Sequence, residues 1–114
     1  MKMKLNYSRK MALLVLLAGC MVGWSVRADA PPTWVKNCQS CHGKDGKGDT
    51  MMGRKLSIKD LTDPKIQAGF SDADATKAIK EGVKDSGTEK MKAFGSKLSD
   101  DDVKALVAYV RTLK

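Results

Sequence analysis

The clearest periodicity lies near the C-terminal end, where Val103, Leu106, Val107, Val110 and Leu113 recur at spacings of 3, 1, 3 and 3. That spacing puts all five on one face of an amphipathic helix. Ser99 precedes the run with Asp102 three residues on, the arrangement of a capping box. Asp100 to Asp102 then sit at the positive end of the helix, and Arg111 and Lys114 at its negative end. Ser71 and Asp74 repeat the signal and predict a helix over about 72–81 that ends near Gly82. Its apolar side is Ala75, Ala78, Ile79 and, just beyond, Val83. Pro31 and Pro32 suit a helix start, which predicts a short helix from about Pro32 to Cys41. Residues 43–55 carry Gly43, Gly46, Gly48 and Gly53 among charged residues and read as a loop. Leu56, Ile58, Leu61, Ile66 and Phe70 follow without a long period and predict one or two short helical turns. Residues 83–98 read as irregular, and no segment alternates well enough for a strand. The expected class is all-α, with three to four short helices.

The N-terminal pattern is of another kind. Lys2, Lys4, Arg9 and Lys10 precede the apolar run Met11–Gly19, and Val26-Arg27-Ala28 offers small residues at a cleavage spacing. These are the parts of a secretory signal peptide, expected to span 1–28 and to be cut after Ala28. The run is short of the ~20 residues that span a membrane comfortably. Leu17-Ala18-Gly19-Cys20 also fits a lipidation site, and an uncleaved segment would act as an anchor, so two kinds of membrane tether stay open. The working division is a leader over 1–28 and one domain over 29–114, placed in the periplasm.

That division changes the totals. The 114 residues have 21 Lys+Arg against 13 Asp+Glu and a net charge of +8. Residues 1–28 hold five of the bases and none of the acids, so 29–114 carries only +3. Within 29–114, 30 of 86 residues are apolar, and the aromatics are Trp34, Phe70, Phe94 and Tyr109. So thin a core calls for a staple of some kind.

Cys38-Gln39-Ser40-Cys41-His42 supplies a candidate. The pattern C-x-x-C-H reads as a c-type haem attachment site. Two thiols three positions apart on one helical turn can each bond one haem vinyl group, and the next residue offers an imidazole to the iron. A thioredoxin-type redox pair would need a βαβ setting that the pattern lacks. A zinc site needs about four ligands, and beyond residue 28 only Cys38, Cys41 and His42 are soft donors. His42 is the sole histidine, so no second histidine can be the other axial ligand, and the methionines beyond residue 28 are Met51, Met52 and Met91.

The order of short helix, C-x-x-C-H-G, Gly-rich loop, late Met segment and final helix resembles the class I monohaem cytochromes c of bacteria, over nearly all of 30–114. MKAFGSKLSDDDVKALVAYVRTLK resembles the ending of that family, where a Met-Pro-x-Phe segment precedes a helix reading LxAYxxxL. The resemblance implies a small cytochrome c fold wrapped around one covalently attached haem c. It implies Cys38 and Cys41 as the thioether residues and His42 and Met91 as the axial ligands; Met51 and Met52, only nine and ten residues after His42, read as loop or haem-rim residues. It also implies that Trp34 packs against Leu106 and Tyr109 where the terminal helices cross. Two departures stand out. Lys92 replaces the proline after the Met ligand, which leaves that segment less restrained. Met51 stands where related loops often have proline, in the stretch whose backbone carbonyl accepts the proximal imidazole proton.

His/Met ligation implies a one-electron carrier, with no catalytic residues and no small-molecule substrate. It would be a monomer with redox proteins as donors and acceptors, and no nucleic acid. A haem subunit of a larger oxidase or dehydrogenase, and a haem-based ligand sensor, are the other classes the sequence allows. Lys36, Lys44, Lys47, Lys90, Lys92 and Lys97 fall in segments expected near the haem. On a domain of only +3 they read first as solvated surface.

Overall fold

The computed structural model describes residues 30–114; the expected leader over 1–28, with Cys20, lies outside the described residues. Among the described residues the fold is largely helical, in more pieces than the pattern suggests. The segments are α1 (Pro32–Asn37), α2 (Gln39–His42), α3 (Met51–Lys55), α4 (Pro64–Ala68), α5 (Asp72–Glu81), a ribbon of β1 (Val83–Asp85) and β2 (Thr88–Met91), and α6 (Asp100–Thr112).

Both capping boxes form. The Ser71 hydroxyl accepts from the Asp74 N–H at 3.0 Å, and Ser99 does the same for Asp102 at 3.1 Å. Each aspartate in turn accepts the backbone N–H of its serine. These four bonds satisfy donors that a helix start leaves open. The boundaries of α5 and α6 therefore fall where the sequence signals put them.

The predicted helix over 32–41 is interrupted at Cys38, whose φ of −116° bends the chain between α1 and α2. The backbone bonds Cys38 N–H to Trp34 O and His42 N–H to Cys38 O span the bend, so the turn tightens without parting. The glycine-rich stretch contains α3, where the sequence pattern predicts only loop. Thr50 starts it by accepting from the Gly53 N–H. Gly53 is required by close approach: a Cβ there would lie 2.1 Å from Gly48 O and 2.7 Å from Cys41 O. The β ribbon is likewise unannounced, because strands of three and four residues with almost no buried positions give no alternation to read.

The core joins the two ends of the described chain. Trp34, Val103 and Leu106 are 1–2% exposed and pack with Cys38, Ile79, Val107, Tyr109 and Val110. The Tyr109 ring meets Trp34 edge to face, with centroids 5.1 Å apart. The expected crossing of first and last helices is thus present, with Leu106 in the same cluster. Arg111 supplies a tie that the sequence reading assigned only to the helix dipole. Its guanidinium donates to Asp72, Gln67 O and Phe70 O, and stacks 4.4 Å over the Phe70 ring, joining α6 to the segment between α4 and α5.

Candidate cofactor site

The bend at Cys38 brings the C-x-x-C-H residues to one wall of a cavity of about 880 Å³. Small-molecule and cofactor sites span roughly 300–1,000 Å³, so the space suits a large flat ligand. Cys38, Cys41, His42, Met91 and Phe94 all line it. Met52, Leu56 and Ile58 complete an apolar lining. A smaller apolar recess of about 270 Å³ also touches Cys38, His42 and Met91 and runs inward to Trp34, Leu106 and Val110.

Short backbone bonds fix the thiol and imidazole wall. The Gly48 N–H donates to His42 O at 2.7 Å, and the Thr50 hydroxyl donates to Cys41 O at 2.7 Å. The Trp34 indole N–H donates to Gly43 O at 3.2 Å, and its ring lies 5.7 Å from that of His42. These bonds tie the first helix, the C-x-x-C-H turn and the start of α3 together.

Burial shapes the chemistry of the donors. Burial first, and the neighbouring Cys41 second, push the Cys38 thiol up to about 11, so it is protonated at neutral pH. Burial also lowers the His42 pKa and keeps the imidazole neutral, with one nitrogen free of a proton. His42 Nδ1 is buried and has no hydrogen-bond partner among the described residues. Two free thiols, a neutral imidazole and a thioether around one apolar cavity form a donor set that fits haem c.

The other sequence expectations sort by position. Met51 is 81% exposed and does not line the cavity, whereas Met52, at 41%, stands on its rim. Lys36, Lys90, Lys92 and Lys97 line the cavity, while Lys44 and Lys47 do not. Lys59, Leu56 and Ile58 line it too and escaped the sequence reading. The apolar pair Leu56 and Ile58 after the glycine-rich stretch was the available signal. Asp100 is occupied by Lys80 at 2.6 Å, and Asp102 by its cap.

A helical fold with a C-x-x-C-H turn and a methionine on the same cavity defines a class, and the chain is a monohaem c-type cytochrome of bacterial type, carrying haem c. Two solved structures are similar to it. The KustC0563 c-type cytochrome has a TM-score of 0.64 and 37% identity, over 71% of this chain and 92% of that one. A tyrosine-to-phenylalanine mutant of Kustc0563 has a TM-score of 0.65 and 36% identity, over 76% of this chain and 100% of that one. A family model for cytochrome c oxidase, cbb3-type, subunit III matches residues 28–110, and the chain belongs to that family. The Cbb3-type cytochrome c oxidase subunit FixP of Azorhizobium caulinodans is 39% identical over 77 residues, which are 68% of this chain. The chain spans about a quarter, 24%, of that relative's length.

Proposed function

We propose that residues 29–114 act as an exported one-electron carrier, with Cys38 and Cys41 holding the haem covalently and His42 and Met91 as axial ligands. The observation that carries this reading is the convergence of these four side chains on one cavity. Haem supplies the one-electron chemistry, and a thioether opposite an imidazole raises its potential. The chain's own residues orient the imidazole, exclude water behind Trp34 and present the methionine. Residues 1–28 direct export to the periplasm, by a leader cut after Ala28 or by a tether.

Replacing Met91 by Ala tests the ligand assignment. The far-red charge-transfer band of thioether-ligated ferric haem should vanish in Met91→Ala and persist in Met51→Ala and Met52→Ala. A band unchanged in Met91→Ala would refute the assignment.

The partner follows from charge. Five lysines (Lys36, Lys59, Lys90, Lys92, Lys97) and two acids (Asp85, Glu89) line the cavity, a balance of +3. This equals the whole charge of 29–114, so the remaining surface is balanced. Exposed Met52 and Val83 add apolar side chains to the same lining. Such a face suits an acidic redox protein, including the larger assembly suggested by the oxidase subunit relative. Electron transfer with an acidic partner should slow as ionic strength rises from about 10 mM to about 150 mM, where screening sets in within ~8 Å. A rate indifferent to salt would remove this surface from the account.

A further inference from the structure

The β1–β2 ribbon is not explained by the site so far. Its strands are joined by Ser86 and Gly87, with φ of 48° and 79°. Two positive φ values in a two-residue loop match the twist of a hairpin. Ser86 adopts this conformation although it is not glycine, which costs backbone energy.

The ladder then slips once. Asp85 opposes Thr88 and Lys84 opposes Glu89, but Val83 opposes Met91, which leaves Lys90 as an extra residue. Opposed residues share one face of a ribbon. In an unbroken ladder Lys90 would oppose Val83, and Met91 would fall to the other face. The bulge puts Met91 opposite Val83, and both line the cavity, as do Asp85, Glu89 and Lys90. Re-aiming a side chain beside a site is a recurrent use of bulges.

Beyond Met91 the chain is fastened again. The Phe94 N–H donates to Ile79 O at 2.8 Å and the Gly95 N–H to Lys80 O at 3.1 Å. Met91 is therefore held between the ribbon and the last turn of α5, while Lys92 lacks the ring that would stiffen a proline at this position.

We infer that the ribbon is a strap that positions Met91, and that its turn, at the far end from Met91, sets how readily Met91 yields its place to another ligand. The inference rests on Met91 being the distal ligand. It makes Ser86 and Gly87 positioning residues through the ladder.

Gly87 permits a clean perturbation, because a Cβ there meets nothing within 4 Å. A valine would add backbone strain at φ 79°, at a residue that does not line the cavity. Ser86→Asn acts the other way, since Asn-Gly favours this turn. The readout is titration of the ferric holoprotein with imidazole, followed by loss of the far-red thioether band. Gly87→Val should bind imidazole about fivefold more tightly than the parent, and Ser86→Asn about twofold more weakly. If Gly87→Val yields no holoprotein, Ser86→Asn decides alone. Parent-like imidazole affinity in the turn variants, with the band lost in Met91→Ala, would overturn the strap and leave the ligand standing. A band retained in Met91→Ala would instead overturn the ligand assignment beneath it.

Discussion

At the scale of single residues, chemistry fixes some positions of the site and close backbone approach fixes others. Cys38, Cys41 and His42 announce themselves, because thioether formation and iron ligation demand these residue types at this spacing. Met91 needed context, since three methionines follow residue 28 and only their position relative to the last helix separated them. Gly53 carried no signal beyond "loop", yet it lets α3 press on the backbone of Gly48 and Cys41. All three clashing atoms of an added Cβ, Gly48 O, Gly48 C and Cys41 O, are main-chain atoms, which cannot turn aside. Gly53→Ala should therefore destabilise by about 1–3 kcal/mol, at the upper end of overpacking. A thermal melt should shift down by roughly 4–8 °C per kcal/mol. An unshifted melt would show that α3 is free to move off the C-x-x-C-H turn.

At the scale of elements, α5 and α6 were legible because their caps are local: serine and aspartate three residues apart settle the start without help from the fold. The ribbon, α3 and the break at Cys38 were not, because each depends on a distant partner. The ladder brings Val83 to Met91, and α3 leans on Cys41 O. Each cap also makes a prediction. Ser71→Ala and Ser99→Ala should each cost about 1 kcal/mol, read by chemical denaturation. Ser71 has a pH signature as well. Hydrogen bonds from its backbone N–H, and then its side chain, hold the Asp74 carboxyl below its ordinary value of 3.8. A lowered carboxyl pKa stabilises the fold fully above that ordinary value, and the contribution fades as pH falls below it. Lys80 acts in the same direction on Asp100, by a hydrogen bond and by its charge. Acid unfolding of Ser71→Ala should thus begin at higher pH than in the parent. Superimposable acid curves would count against the capping box as a contributor.

At the scale of the whole molecule, charge and core change their meaning once the cavity is placed. The modest +3 of residues 29–114 read as ordinary surface in the sequence, yet the charges lining the mouth account for all of it. The sparse core of eight buried apolar residues lies along α6 and beneath the cavity, with large spaces left beside it. Filling them with a covalently held haem completes the core, so the haem-free chain should lack cooperative unfolding. The central claim is that His42 and Met91 bind one covalent haem from opposite sides. An absorption spectrum of the purified holoprotein, oxidised and then reduced, tests it most directly. The account predicts a far-red thioether charge-transfer band in the oxidised form and sharp, low-spin α and β bands on reduction. A high-spin spectrum without the far-red band would contradict it.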